Sequence, residues 1–114
     1  MRYKGGVIAL DFKKAEKRYI PMSETMFYIL LSLREERHGY GIMQHVEEIT
    51  NGRIRLGAGT IYQSISKLLG DGLICATGED DRRKSYVITE LGMRILTGEA
   101  RRIRELYEAV EGLL

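Results

Sequence analysis

Apolar residues recur at helical spacing in four stretches of this chain, and residues typical of helix ends separate the stretches. The first stretch follows Ser23, a predicted N-cap residue, with Glu24 in the first turn, where a carboxylate suits the helix dipole. This helix is apolar on more than one side, so it must be covered on more than one side. In so short a chain a second subunit is a reasonable cover, and Phe27 and Leu31 form the second stripe.

A second predicted helix follows the segment HGYG and stops at Gly52, because glycine is common just past a helix C-terminus. A third helix begins near Ala58 or Gly59 and ends at Gly70 and Gly72. Its core-facing residues follow the spacing i, i+4, i+7 and i+8: Ile61, Ile65, Leu68 and Leu69. The opposite face is small, polar or basic: Gly59, Thr60, Gln63, Ser66 and Lys67, with Tyr62 on its flank.

The period of the pattern changes after Gly72. Residues 73–77 and 85–88 have the alternation and composition of strands, and the polar run GEDDRRK between them predicts a hairpin with a charged tip. Thr89 is then the predicted cap of a last helix. Its later apolar residues form a short coiled-coil-like seam: Ile103, Leu106, Val110 and Leu113. The predicted fold is mainly α with a small β-hairpin, an α+β arrangement.

Composition excludes several classes of protein. A chain of 114 residues predicts a single domain, and its one cysteine, Cys75, excludes an intrachain disulfide and fits a reducing, cytoplasmic setting. No apolar run approaches the roughly 18 residues of a membrane span, so we expect no membrane partner. The N-terminus also lacks the apolar core of a secretory signal.

Catalysis has little support in the sequence. A nucleophilic pair would need Cys75 to contact His38 or His45, the only histidines, and neither histidine has a second ligand at metal-binding spacing. No glycine-rich phosphate loop is present in the sequence. We therefore expect no catalytic residue, metal or cofactor, and a small hydrolase is the weakest alternative.

The third helix has the features of a DNA-recognition helix. Asn51–Gly70 contains basic residues and no acid, although the whole chain carries a net charge of only +2. Thr60 and Ser66 can donate to phosphates or base edges. Gln63 can pair with adenine, and Lys67 can reach guanine or phosphate. Each residue alone is equally an ordinary solvated residue, and the absence of acids across the whole face favours DNA.

The hairpin tip supports two interpretations. Three basic residues, Arg82, Arg83 and Lys84, directly follow the acidic run 79–81. The tip is either a self-neutralised solvated turn, or its basic half lies along a DNA backbone or minor groove with the acids turned away.

Four segments, HGYGIMQHV, GTIYQSISKLLGDGLI, RRKSYVIT and TELG, together resemble the PadR family of winged-helix transcriptional regulators over about residues 22–96. The resemblance implies a winged helix-turn-helix and a homodimer formed through the first and last helices. It also implies binding to a pseudo-palindromic operator in double-stranded DNA, usually as a repressor. Residue by residue, it implies backbone contacts from Tyr40, Thr60 and Tyr62, and wing contacts from Arg83 and Lys84.

The short C-terminal helix resembles a smaller subgroup, some of whose members bind flat aromatic drugs between subunits. That resemblance implies a small apolar or aromatic effector, to which Phe27, Tyr28 and Tyr107 can contribute, although the chain has no tryptophan. The chain departs from the family pattern at Gln63, where proline is frequent, and at Lys67 and Leu69, where arginine and glutamate are common.

We expect three regions: a basic N-terminal arm over 1–20, a winged helix-turn-helix DNA-binding domain over 21–88, and a dimerisation helix over 89–114. The arm has six basic and two acidic residues. It is either a frayed segment or a short strand and helix, and it adds phosphate or minor-groove contacts or wraps the partner subunit. The alternative function is a winged-helix protein-interaction module without DNA binding, for which an acidic recognition face would be expected.

Overall fold

The computed structural model describes Tyr3–Lys4, Val7–Ile8 and residues 10–80 and 83–114, with side chains described for 10–78 and 83–114. The elements in chain order are β1 Tyr3–Lys4, β2 Val7–Ile8, α1 Phe12–Tyr19, α2 Glu24–Ser32, β3 Arg37–His38, α3 Gly39–Ile49, α4 Ala58–Gly70, β4 Ile74–Asp80, β5 Arg83–Ile88 and α5 Glu90–Val110, followed by a 3-10 turn at Glu111–Leu113.

The helix boundaries follow local sequence signals. The Ser23 hydroxyl accepts the Met26 N–H at 3.1 Å at the start of α2, and the Thr89 hydroxyl accepts the Gly92 N–H at 3.1 Å at the start of α5, so both predicted caps are confirmed. Helix α3 is followed by two residues in the left-handed region, Asn51 at φ 52° and Gly52 at φ 77°. The chain therefore turns where glycine predicted a helix end.

The sheet contains the predicted hairpin and one further strand. Strands β4 and β5 pair antiparallel, with Ile74 opposite Ile88, and the register shifts between Ala76 and Gly78. The two-residue β3 pairs with the other edge of β5, giving the order β3–β5–β4. The prediction of an α+β fold with a hairpin is confirmed, while β3 was not predicted. This short strand fixes the start of α3 against Ser85 and Tyr86 of β5.

A single apolar core joins α2, α3, α4, the base of the hairpin and the first half of α5. From α4 it takes Ile61, Ile65 and Leu68, as the spacing predicted, while Leu69 is partly buried. Gly92 of α5 lies so close to β4 that a Cβ there would overlap the carbonyl oxygen of Leu73. The start of α5 is therefore packed directly against the backbone at the hairpin base.

The described part of the N-terminal segment packs against its own chain. Asp11 caps α1 by accepting the Lys14 N–H at 2.9 Å, and Ala15 and Tyr19 are buried. The Arg94 guanidinium of α5 lies 3.9 Å from the centroid of the Phe12 ring, a cation–π contact. Of the two descriptions left open by the sequence, a helix is therefore observed for Phe12–Tyr19, and this helix is part of the folded domain.

A fully buried carboxylate ties α5 to the start of α2. Glu99 accepts the Met22 N–H at 2.8 Å and two hydrogen bonds from the Arg102 guanidinium, at 2.6 and 2.8 Å. The hydrogen bonds from Arg102, supported by the Met22 N–H, lower the pKa of Glu99 in spite of its burial. The second half of α5 then extends from the core. None of the helices in the described ranges is both long enough and apolar enough to cross a membrane.

We expect Glu99→Gln to lower the free energy of unfolding by about 1–2 kcal/mol at neutral pH, because it removes charge-assisted hydrogen bonds. Arg102 is about one third exposed, so solvent screening favours the smaller value. Because the folded-state pKa is depressed, the stabilisation is complete above the ordinary pKa of 4.5 and declines as the pH falls through the depressed value. Urea unfolding of both proteins between pH 3 and pH 7 measures this difference.

The control is Glu108→Gln, which removes an exposed carboxylate from the same helix. A difference between wild type and Glu99→Gln that stays constant down to pH 3, or that matches the control, would contradict a stabilising role for the charged Glu99.

Candidate nucleic-acid interface

Helix α4 presents the face that the sequence predicted for recognition. Every residue of that face, together with Tyr62 on its flank, is exposed: Gly59, Thr60, Tyr62, Gln63, Ser66 and Lys67. The helix starts after Gly57, which has no side chain to cap it, and its first turn contains no acid. The first backbone N–H groups therefore point to solvent at the positive end of the helix dipole, an arrangement that favours an anion.

The start of α3 lies beside α4. A Cβ on Gly39 would lie 2.8 Å from the Tyr62 hydroxyl oxygen, so glycine is needed for the Tyr62 ring to approach this closely. Tyr40, the next residue, is 58% exposed, and Tyr62 is 53% exposed. Two tyrosines from different helices thus stand at the surface where the two helix starts meet.

These tyrosines line a recess of about 250 Å³ at the junction of α3, α4 and the hairpin, which we call the recess. Its lining residues are His38, Gly39, Tyr40, Tyr62, Arg83, Lys84 and Tyr86. The structure therefore brings together four of the residues proposed from the sequence, Tyr40, Tyr62, Arg83 and Lys84. Arg82, a fifth, lies outside the described residues. The other proposed residues, Gly59, Thr60, Gln63, Ser66 and Lys67, lie along α4 and do not line the recess.

Three lining residues, His38, Gly39 and Tyr86, were not proposed from the sequence as part of a binding site. His38 Nδ1 lies 3.2 Å from the Lys84 carbonyl oxygen and 3.0 Å from the Ser85 hydroxyl, so the ring connects the residue before α3 to β5. A carbonyl only accepts, so Nδ1 carries the proton in that contact. Tyr86 is nearly buried, and burial raises its pKa. The HGYG segment was a signal for His38, whereas the position of Tyr86 depends on pairing between β3 and β5.

The far end of α4 has a different environment. The Lys67 ammonium lies 5.1 Å from the centroid of the Tyr19 ring of α1. Asp71, which follows the helix, accepts hydrogen bonds from Arg18 and Tyr19. Lys67 is thus on the exposed face but in contact with α1, a contact that the sequence did not predict.

Two of the side chains considered for catalysis, His45 and Cys75, make contacts within the fold. Ser32 uses its single proton to donate to the Tyr28 carbonyl at 2.7 Å, so it accepts from His45 Nδ1 at 2.8 Å. Burial, together with the nearby Arg37 charge, lowers the pKa of His45. Cys75 pairs with Val87 within the hairpin. Within the described ranges, no three His, Cys, Asp or Glu side chains gather at metal-binding distance.

The residues proposed for dimerisation fall into two groups. Phe27 and Leu31 are partly buried against the core. The apolar seam is exposed on the second half of α5, with Ile103 at 38%, Leu106 at 52% and Val110 at 44%, and in the 3-10 turn after it, with Leu113 at 85%.

Comparisons with known proteins agree with this geometry. The model of the family described as "Transcriptional regulator PadR-like family" matches residues 28–98. The transcriptional regulator YqjI of Escherichia coli is 26% identical over 96 residues, covering 83% of this chain and 46% of that protein, so the chain spans about half the length of this relative.

Solved structures have the same fold. A PadR family transcription regulator from Clostridium difficile is 21% identical, with a TM-score of 0.69 over 80% of this chain and 98% of that one. Bacillus subtilis PadR in complex with operator DNA is 26% identical, with a TM-score of 0.58 over 67% of this chain and 46% of that one. With the family model matching more than half of its length, this winged-helix chain belongs to the PadR-like family of transcriptional regulators.

Proposed function

We propose that the protein is a sequence-specific regulator that binds double-stranded DNA as a homodimer and acts as a repressor. The observation that carries this proposal is the continuity of two surfaces through Tyr62. The carboxylate-free face of α4 leads directly into the recess, which Arg83 and Lys84 make positive. A surface that combines the exposed face of α4, a recess lined by two cations and two helix starts without side-chain caps suits the groove and phosphates of a duplex.

The two surfaces suit different parts of DNA. The recess, with its two cations and the phenols of Tyr40 and Tyr62, suits a backbone phosphate. On α4, Gln63 suits the paired donor and acceptor of adenine, and Thr60 and Ser66 suit phosphates or base edges. The presence of operator DNA in the Bacillus subtilis PadR complex supports this assignment by similarity.

The exposed seam supports the proposal of a homodimer. Four apolar side chains at spacings of three and four residues leave an exposed stripe on a helix that is otherwise rich in charge. A second copy of the same helix covers such a stripe in the manner of a short coiled coil. Two-fold symmetry then places two α4 helices on one duplex and requires a pseudo-palindromic operator.

An effector site belongs to the same proposed interface. Phe27 and Tyr28 of α2 form an edge-to-face pair with centroids 5.9 Å apart, and Tyr107 is 53% exposed on α5. Partly buried aromatic rings on α2 and an exposed one on α5 suit a small apolar or aromatic molecule between the subunits. Binding there would change the distance between the two recognition helices and release the operator.

Selection from random duplex DNA tests the function. We expect enrichment of a palindrome whose half-sites are about 10 base pairs apart, or a multiple of that spacing. On the selected duplex we expect Lys84→Gln to weaken binding and to reduce the slope of log affinity against log salt by about 0.9 for each subunit in contact. The measurement is fluorescence anisotropy over a series of salt concentrations.

Arg101→Gln is the matched control, since it removes an exposed basic residue from α5, outside the recess. An unchanged slope in Lys84→Gln, or an equal change in the control, would exclude the recess as a phosphate contact. Absence of any saturable duplex binding would instead favour the protein-interaction module.

We expect the wild-type protein to sediment as a dimer at micromolar concentration and Leu106→Asp to sediment as a monomer, because a charge in the seam must be desolvated in the dimer. Met93→Asp is the control, since Met93 is 39% exposed on the first half of the same helix. Analytical ultracentrifugation of the three proteins measures this. A dimeric Leu106→Asp variant, or a monomeric wild type, would contradict dimerisation through this seam.

A further inference from the structure

The residue that follows α4 presents an electrostatic problem. Asp71 is the C-cap of the helix, and it is only 8% exposed. The last carbonyl groups give this end of a helix a partial negative charge, which opposes a carboxylate. Burial also removes water from the charge. An aspartate at this position therefore depends on donors from elsewhere in the fold.

Those donors all come from α1 and the residues before it. The Arg18 guanidinium donates to one carboxylate oxygen of Asp71 at 2.6 Å, and the Tyr19 hydroxyl donates to the other at 2.7 Å. The Leu10 N–H donates to the Asp71 carbonyl at 3.3 Å. Burial and the hydrogen bond to Asp71 raise the pKa of Tyr19, so its hydroxyl stays a donor through the neutral range.

The same tyrosine contacts the exposed face of α4. Lys67 lies one turn before Asp71, and its ammonium lies 5.1 Å from the Tyr19 ring centroid. Tyr19 is 3% exposed, so its ring is a fixed surface and not a mobile side chain. One residue of α1 thus contacts both the end of the recognition helix and the last basic residue on its exposed face.

The other end of α4 rests on α3, where the Tyr62 ring covers Gly39. A helix of 13 residues is about 20 Å long, so a small tilt at one end moves side chains at the other. Hydrogen bonds to base edges tolerate displacements of only a few tenths of an ångström to about 0.5 Å. The direction of α4 therefore depends on the contacts at both of its ends.

We propose that Arg18 and Tyr19 are positioning residues for DNA recognition. Through Asp71 and Lys67 they fix the direction of α4, and sequence discrimination depends on α1 although α1 touches no base. This inference rests on the proposed function, because it assigns a role in discrimination between DNA sequences.

The test compares affinities for the duplex selected by the wild-type protein and for a scrambled duplex of the same composition. In Tyr19→Phe and in Asp71→Asn we expect the ratio of the two affinities to fall about tenfold, as the loss of a charge-assisted hydrogen bond suggests. The loss should fall on the selected duplex, and the salt slope should stay unchanged because no phosphate contact is removed. Circular dichroism at the assay temperature confirms that each variant is folded.

Lys13→Gln is the control, since it removes an exposed charge from α1. We expect its ratio to equal that of the wild type. Tyr19→Phe keeps the buried ring. If Asp71→Asn does not fold, the Tyr19→Phe variant is sufficient for the test. Unchanged ratios in the folded variants would overturn the inference, as would equal losses on both duplexes with a reduced salt slope, which would make α1 a phosphate contact.

Whether the wild-type protein enriches a DNA sequence distinguishes failure of the proposed function from failure of the positioning role. A wild-type protein that enriches no sequence contradicts the proposed function and removes the basis for positioning. A wild-type protein that enriches a palindrome, with variants that discriminate as well as it does, contradicts the positioning role alone.

Discussion

Burial of Ile61, Ile65 and Leu68 against the rest of the core is the interaction on which the presentation of α4 depends. Each side chain contributes about 1.5–3 kcal/mol when it leaves water, which is large beside the marginal stability of a small domain. Because these residues recur at helical spacing, their burial turns the opposite face outward along the whole helix. The outward orientation of the polar face of α4 therefore results from core packing, whereas the recess also depends on the pairing of β3 with β5.

Buried charges determine how α1 and α5 attach to this core. Asp71 follows α4 and accepts from α1, whereas Glu99 lies in α5 and accepts from the residue before the α2 cap. Either carboxylate would destabilise the fold without its donors, and every buried side-chain nitrogen or oxygen among the described residues has a hydrogen-bond partner. Apolar packing alone tolerates sliding, whereas these contacts fix relative positions. The flanking helices are thereby joined to α4 and to α2 at defined points.

Local signals in the sequence predicted the elements, and long-range contacts account for what was missed. The caps at Ser23 and Thr89 and the exposed face of α4 depend on residues within a few positions of one another. Strand β3 has two residues and forms only by pairing with β5, so it leaves no periodic pattern. Glu99 interrupts the apolar seam in the sequence, but in the fold it is a satisfied buried charge. The sequence likewise offered no sign that Lys67 contacts α1 or that Tyr86 lines the recess.

In the proposed complex, the starts of α3 and α4 and the first residues of β5, Arg83 and Lys84, meet a DNA duplex together. The first N–H groups of a helix have no intrahelical acceptor and exchange rapidly in the free protein, so they report directly on an anion placed there. Amide hydrogen–deuterium exchange with and without saturating selected duplex measures this. We expect slower exchange at the helix-start amides 39–41 and 58–60 and at the strand amides 83–84, with little change over α1. Unchanged exchange at these amides under saturating duplex, or protection concentrated on α1, would contradict it.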